Sequence, residues 1–192
     1  MSRLLLGITA LSVAVAVVAI LWGAGLLPRA SGSAAFPAGP GLGRDAPQEL
    51  VAALDISIAP DGAGLPPGQG TSQDGIRTYG QVCAACHGNR GRGGMGGRLT
   101  GGIGTINSDD PIRTVNSYWP YATTLFDYIR RAMPLGAPQT LTDDQVYGLV
   151  AFLLSVDRIV EPGEVVNAET LPRIRMPNRN GFVEWWPDPP VN

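Results

Sequence analysis

Apolar positions are unevenly distributed along the chain, and the longest uninterrupted run of them lies near the N-terminus. Residues 4–27 are 24 consecutive uncharged, mostly apolar residues, with Arg3 before them and Arg29 soon after. A helix of this length would be about 36 Å long, enough to cross a bilayer with some tilt. A cleavable signal peptide has a shorter apolar core, so the run favours a retained membrane anchor within 1–29. Cleavage near the Ser-Ala-Ala sequence at 33–35 stays an alternative.

Helical periodicity occurs in three later segments, and each begins near a threonine that can cap a helix. The capping pairs are Thr71 with Asp74, Thr124 with Asp127, and Thr142 with Gln145. They predict helices over 71–83, 125–132 and 143–156. The inner positions of the second and third helices are Leu125, Tyr128, Ile129 and Ala132, then Val146, Leu149, Val150, Phe152 and Leu153. This pattern predicts an all-α domain over 71–157.

Glycine and proline are concentrated on both sides of this domain. Residues 30–70 are expected to form a tether without a core of its own, with a short helix over 46–54 and Pro47 at its first position. Residues 158–192 are expected to form an extended wrap over the domain surface or a partner contact. The predicted organisation is therefore an anchor or signal segment at 1–29, a tether at 30–70, the domain at 71–157 and the wrap at 158–192.

The charge of the chain is nearly balanced, because 14 basic residues, all arginine, stand against 16 acidic ones. This balance indicates neither a nucleic-acid partner nor an acidic surface as a target. Residues 71–140 are locally basic, with seven arginines against four acidic residues. These arginines could line a docking face, neutralise carboxylates of a cofactor, or form a solvated surface.

The strongest chemical signal is Cys83-Ala84-Ala85-Cys86-His87, which contains the only cysteines and the only histidine of the chain. Two cysteines spaced C-x-x-C and followed by histidine are typical of covalent haem c attachment, with His87 as an iron ligand. A thioredoxin-like redox pair, half of a zinc site and a simple disulfide are weaker alternatives. The glycine-rich stretch 88–104 is interpreted as a loop around the haem edge, where backbone approaches the macrocycle closely.

A haem that only transfers electrons needs a second axial ligand, and methionine is the usual one. Met133 stands at a predicted helix end before Pro134, where the chain can turn over the iron, and it is the favoured ligand. Met176 is the second candidate, and an open or water-bound iron is the third. Met95 is too near His87 in sequence to reach the opposite face of the ring.

These residues together resemble the class I cytochromes c. The resemblance is carried by Gly75, Tyr79, Cys83, Cys86 and His87, by the Met-Pro sequence at 133–134, and by Ala151-Phe152. It implies an all-α haem domain in which the helix with Gly75 and Tyr79 crosses the helix with Leu149 and Phe152. It also implies that a loop carbonyl, usually that of a proline, accepts a hydrogen bond from the histidine. Here Gly97 stands at the proline position, so the acceptor is not identified.

A narrower resemblance links residues 55–183 to the cytochrome subunits of the bacterial sulfur-oxidation (Sox) system and of sulfite dehydrogenases. The segments that carry it are 60–62, 64–68, 117–134, 171–172 and 176–182. It implies electron donation by a molybdopterin-containing subunit of the sulfite-oxidase type and transfer to a downstream cytochrome or oxidase. The chain differs from some relatives in its single haem motif and its apparent anchor.

The sequence therefore predicts a monohaem electron carrier, anchored in the inner membrane by its N-terminal helix or secreted after signal cleavage, with its haem domain in the periplasm. The expected pocket walls are Leu99, Trp119, Tyr121 and Phe152, and the arginines expected to reach propionates or a partner are Arg98, Arg113 and Arg130. One alternative is a haem enzyme acting on a small sulfur compound or peroxide at an open iron. Another is a subunit whose haem is structural. The chain lacks an acid–base pair or nucleophile, so it is not expected to be an enzyme by itself.

Overall fold

The computed structural model describes residues 42–183, so the predicted anchor in 4–27 lies outside the described residues. The helices are α1 (Gln48–Leu54), α2 (Ser72–Val82), α3 (Ala84–His87), α4 (Val115–Tyr118), α5 (Ala122–Ala132) and α6 (Asp143–Val156). Two 3₁₀ turns cover Asn89–Gly91 and Leu171–Arg173, and two short strands are β1 (Gln69–Gly70) and β2 (Val166–Asn167). Between residues 42 and 183, no helix combines the length and the apolar character needed to cross a bilayer.

Helices α2 and α6 cross at a pair of glycines. A Cβ atom placed on Gly75 would lie 1.8 Å from the carbonyl oxygen of Gly148, and one placed on Gly148 would lie 3.0 Å from the Gly75 nitrogen. The two backbones are therefore in direct contact, which only residues without a side chain permit. One turn along, the rings of Tyr79 and Phe152 pack with centroids 5.0 Å apart. The crossing expected from the cytochrome resemblance is present.

Two of the three predicted capping boxes are confirmed. Thr71 caps α2 together with Asp74, and Thr142 caps α6 together with Gln145, each through reciprocal hydrogen bonds. These helices begin one residue after the threonine, as the box requires. A further box, Thr114 with Ser117 at the start of α4, was not predicted, because serine is a less common third residue of the motif than glutamate or glutamine.

The predicted box of Thr124 with Asp127 is wrong. Helix α5 begins at Ala122, and Tyr121 precedes it without a side-chain cap. The Asp127 carboxylate instead accepts a hydrogen bond from the Ile58 N–H group (3.0 Å) and one from Arg131. The contact with Ile58 joins residues 69 apart in sequence, which a local pattern does not report. Asp127 also forms a salt bridge with Arg131, one turn later on α5, and Asp127 itself is buried.

The core is centred on α6, in which every predicted inner position is buried. On α5, Leu125 and Ile129 are buried as predicted, and Phe126 is also buried. The core extends beyond 71–157, since it includes Ile58, Val160, Val166, Leu171 and Met176. Strands β1 and β2 pair in antiparallel fashion, with Gly70 opposite Val166. Such two-residue strands carry no periodicity, and the sequence did not predict them.

Candidate haem-binding site

The C-x-x-C-H sequence lies at the junction of α2 and α3, on one wall of a cavity of about 730 Å³. Cys83 directly follows α2 as its C-cap residue, and the short helix α3 brings Cys86 and His87 to the same cavity. The two cysteines are not joined to each other by a disulfide. Burial, with a smaller contribution from the Cys86 thiol, raises the pKa of Cys83 to about 11. The arrangement places two cysteine side chains and one imidazole on the wall of a single cavity.

The orientation of His87 is fixed by the backbone of Gly97. The Nδ1 atom of His87 lies 3.1 Å from the Gly97 carbonyl oxygen, so this nitrogen donates and Nε2 is left available to a metal. The carbonyl that accepts from His87 is therefore that of the glycine standing at the usual proline position. Gly97 has φ +79°, a conformation that favours glycine.

The loop around the imidazole is held by backbone contacts. The Gly96 N–H group donates to the Cys86 carbonyl (2.8 Å), and the Gly93 N–H group donates to the His87 carbonyl (3.0 Å). A Cβ atom on Gly96 would lie 3.0 Å from Cε1 of His87 and 3.1 Å from Cβ of Cys86. The stretch 88–104 contains one 3₁₀ turn and otherwise no regular element, as the loop interpretation expected. Its glycines allow the backbone to press against the histidine ring.

Met133 lines the same cavity as the two cysteines and the histidine. It directly follows α5 as its C-cap residue, and its backbone is extended, so that the chain continues along the cavity wall. Met95 also lines the cavity but is 91% exposed, whereas Met176 is buried in the core and does not line it. The geometry favours Met133 over Met176, and its role as axial ligand stays a prediction.

Only two of the four residues predicted to form the pocket walls line the cavity. Leu99 and Trp119 line the cavity, but Tyr121 and Phe152 do not. Tyr121 instead forms a β-bridge with Arg175, and the Arg179 guanidinium stacks on its ring at 4.2 Å. Its nearness to Trp119 in sequence was therefore misleading, because Tyr121, directly before α5, contacts the C-terminal segment and not the cavity.

Other cavity-lining residues were missed or assigned to the core by the sequence. Tyr128 lines the cavity and is half-exposed, although its helical position predicted core packing. Leu125, Ile129, Leu149 and Leu153 also line the cavity from α5 and α6. The 3.6-residue period identified most of these positions as inward-facing. It does not distinguish an interior filled by side chains from one shaped for a cofactor.

The charged residues at the cavity are exclusively cationic within the part of the chain that the structure describes. Arg98 and Arg113 line it, and no aspartate or glutamate does. Arg113 packs over the Tyr118 ring at 5.8 Å, and neither arginine forms a salt bridge within residues 42–183. Arg130, also expected at the haem, pairs instead with Asp143 at 3.1 Å. The unpaired cations suit the carboxylates of a porphyrin.

The residues of the cavity fit a haem c group. Two free thiols have the spacing for thioether attachment, one imidazole has a free Nε2, and a thioether sulfur is available from Met133. Gly96 leaves the space beside His87 that a side chain would occupy. The remaining lining is largely apolar, from leucine, isoleucine, valine and aromatic side chains.

Comparisons with known proteins agree with this geometry. Residues 70–153 match the family model described as "Cytochrome C oxidase, cbb3-type, subunit III". A chain of the crystal structure of the sulfane dehydrogenase SoxCD from Paracoccus pantotrophus superimposes with a TM-score of 0.68 and is 40% identical, covering 78% of this chain and 72% of its own. A search of curated proteins gave no match. The chain therefore belongs to the cytochrome c family, with covalently bound haem c and a role in electron transfer, and it is similar to a chain of a sulfane dehydrogenase.

Proposed function

We propose that this chain accepts electrons one at a time from a molybdenum-containing sulfur-compound dehydrogenase subunit and passes them to a downstream cytochrome or oxidase. The observation that carries the proposal is the single cavity that gathers Cys83, Cys86, His87 and Met133. The 40% identity to a chain of a sulfane dehydrogenase supports a sulfur-oxidising donor. A sulfite-oxidising donor of the molybdopterin type is the partner that the sequence motifs favour.

Each residue has a defined task in electron transfer. Bound haem c supplies an iron that alternates between the ferrous and ferric states. Cys83 and Cys86 tether the group, while His87 is oriented by the Gly97 carbonyl to bind iron through Nε2. Met133, which lines the same cavity, would supply a thioether sulfur to the iron. The apolar walls exclude water and disfavour the more highly charged ferric form, which raises the reduction potential.

The ligand role of Met133 separates electron transfer from catalysis at an open iron. We expect Met133→Ala to abolish the far-red ferric absorption band that reports a sulfur–iron bond, and to lower the reduction potential because the soft sulfur favours ferrous iron. Met95→Ala is the matched control, since Met95 also lines the cavity but is 91% exposed, and it should leave the band unchanged. A wild-type protein without the band would support the haem-enzyme alternative.

The donor is tested by rapid mixing. Oxidised holoprotein is mixed with a candidate molybdenum dehydrogenase subunit and its sulfur substrate, and the reduced haem band is followed in the stopped-flow instrument. We expect reduction within the turnover time of the dehydrogenase, and co-purified complex should contain molybdenum. Haem that stays oxidised throughout turnover would instead support the structural-haem alternative.

We also propose that the haem domain is periplasmic and that residues 4–27 anchor it in the inner membrane. The support is the length of the apolar run and the thiol attachment of haem, which takes place on exported chains. Membrane fractionation with alkaline extraction, followed by N-terminal sequencing, tests the proposal. A mature chain that begins near residue 35 and is released by extraction would favour secretion after cleavage.

A further inference from the structure

Asp157 stands at a position where an acidic residue is locally unfavourable. It is the C-terminal capping residue of α6, and the last turn of that helix contains no basic residue. Because the carbonyl end of a helix carries partial negative charge, a carboxylate there is repelled by the helix. In the described part of the chain Asp157 forms no salt bridge. A residue that breaks a local rule in this way points to a task elsewhere.

Two donors from distant segments converge on the Asp157 carboxylate. Its Oδ2 atom accepts from the Gly101 N–H group at 2.5 Å and from Nδ2 of Asn116 at 2.7 Å. Charge-assisted hydrogen bonds of this length are stronger than neutral ones. They join the end of α6 to the glycine-rich loop and to helix α4.

Asn116 is fully buried, and its side-chain amide donates two hydrogen bonds but accepts none from the described residues. Its Nδ2 group also donates to the Leu153 carbonyl at 2.9 Å, while its Oδ1 atom has no partner among the described residues. A buried acceptor without a partner is unfavourable, so the two donated bonds must outweigh it. The side chain is thereby fixed against the end of α6.

Gly101 is held at both of its backbone groups. Its N–H group donates to Asp157, and its carbonyl accepts from the Thr114 hydroxyl at 2.7 Å. Thr114 is itself fixed as the capping residue of α4. The glycine-rich loop is thus attached to two helices at Gly101, and Thr114 lines the haem cavity.

Gly101 lies four residues after Gly97, whose carbonyl orients His87. Gly97 is exposed, and nothing lies within 4 Å of the position its Cβ atom would occupy. Its carbonyl is therefore positioned by backbone bonds of the loop, which include the bond from the Gly97 N–H group to the Gly94 carbonyl (3.0 Å). On one side the Gly96 N–H group donates to Cys86, and on the other Leu99 and Thr100 donate to the Gly91 carbonyl, followed by the anchor at Gly101.

We propose that Asp157, together with Asn116, is a positioning residue that keeps the Gly97 carbonyl on Nδ1 of His87 and thereby helps to set the reduction potential. A well-placed acceptor on Nδ1–H makes the imidazole a stronger donor to iron and stabilises the ferric state. Releasing Gly101 weakens that bond, so the potential rises. The proposal requires the attached haem but holds whichever donor supplies the electron.

The test compares Asp157→Ala, Asp157→Asn and the control Asp109→Ala in the haem-loaded protein. Asp109 is an exposed acidic residue outside the network. Midpoint potential, thermal unfolding and NMR-detected exchange of the His87 Nδ1 proton are measured. In Asp157→Ala we expect about tenfold faster exchange and a higher potential, as for the loss of one charge-assisted hydrogen bond. Asp157→Asn keeps an acceptor oxygen and should remain near wild type, as should the control.

Two results would overturn the proposal. Asp157→Ala that unfolds at a lower temperature, with wild-type exchange and potential, would make Asp157 a purely structural residue. If the alanine and asparagine variants shifted the potential equally, without faster proton exchange, the shift would come from loss of the Asp157 charge and not from movement of the Gly97 carbonyl. Where Asp157→Ala does not fold, Thr114→Val removes the hydroxyl that donates to the Gly101 carbonyl, together with the α4 cap, at almost constant volume, and the same exchange and potential shifts are expected. Wild-type values in a folded Thr114→Val protein would then contradict the proposal.

Discussion

The histidine side and the methionine side of the haem cavity are built by different means. The histidine side comes from one continuous stretch, 83–99, and is held by backbone hydrogen bonds and by glycines that allow close approach. The methionine side gathers Tyr118, Trp119 and Met133 from separate segments. It is supported from the C-terminal segment, where Asn178 donates to the Tyr118 carbonyl at 2.7 Å and Phe182 packs on the Tyr118 ring at 5.1 Å.

This difference determines which substitutions should affect each side. On the histidine side the backbone packs closely because glycines have no side chain, so adding one methyl group there should be destabilising. The methionine side is held by contacts between side chains, so truncating a buried side chain should be destabilising, even far from the cavity. The predictions that follow test this contrast, beginning with the largest expected effect.

Adding a methyl group at the α2–α6 crossing should have the largest effect. In Gly75→Ala the new Cβ atom would lie 1.8 Å from the Gly148 carbonyl oxygen and 2.6 Å from Cβ of Phe152. The helices must separate, and because α2 leads directly into Cys83, the histidine side moves with it. We expect a loss of about 3 kcal/mol or more in the free energy of unfolding, measured by denaturant titration of the holoprotein.

Gly80→Ala is the matched control on the same helix. Nothing lies within 4 Å of the position of its Cβ atom, so the higher helix propensity of alanine should be neutral or stabilise by up to about 1 kcal/mol. Equal losses in the two variants would show that the helix, and not the crossing, limits stability.

The histidine side was also the more predictable from sequence, for a physical reason. Thioether attachment and iron ligation require Cys83, Cys86 and His87 at fixed spacing, and close packing of the loop requires glycines. The spacing of these residues in the sequence is therefore enough to identify them. The acceptor for His87 is a backbone carbonyl, which every residue has, so only the three-dimensional path of the loop identifies Gly97.

On the methionine side the sequence failed where distant contacts decide. Tyr121 was expected at the haem, but Arg175 and Arg179, more than 50 residues later, determine its surroundings. Asp127 was expected to cap a helix, but its carboxylate accepts a hydrogen bond from the Ile58 N–H group instead. The periodicity of α5 and α6 nevertheless identified Leu125, Ile129 and Leu149 as inward-facing, because the cavity and the core share those helix faces.

Removing a buried side chain from the C-terminal segment should have the second-largest effect. Met176 is 2% exposed, so Met176→Ala leaves a cavity, and we expect a loss of about 2–3 kcal/mol in unfolding free energy. The far-red ferric band should persist, because Met176 does not line the haem cavity. Thermal unfolding and an absorption spectrum of the same sample separate the two effects. Loss of the band in Met176→Ala, with its retention in Met133→Ala, would assign the ligand to Met176.

A methyl group beside the imidazole should have a smaller effect on stability but a specific effect on the haem. In Gly96→Ala the new atom lies 3.0 Å from Cε1 of His87, so the ring must shift by a few tenths of an ångström. We expect a loss of about 1 kcal/mol and a measurable change in reduction potential. Gly136→Ala, on the methionine side of the same cavity, has nothing within 4 Å and should change neither. A potential shift in Gly136→Ala alone would reverse the proposed contrast.

The smallest effect is a pH dependence at the start of α2. Hydrogen bonds from the side chain and backbone of Thr71, with help from Arg77, lower the pKa of Asp74 from 3.8. A lowered pKa means that the ionised carboxylate stabilises the fold above about pH 4, and that this contribution disappears as pH falls through the folded-state value. Helix α5 begins at Ala122, its N-cap Tyr121 makes no side-chain cap, and its first turn has no acidic residue to lose. Amide exchange in the first turn of α2 should therefore accelerate below pH 4 relative to α5, and Asp74→Asn should remove most of that difference. Equal acceleration of both helices in the wild type would show that acid acts on the whole domain and not on this cap.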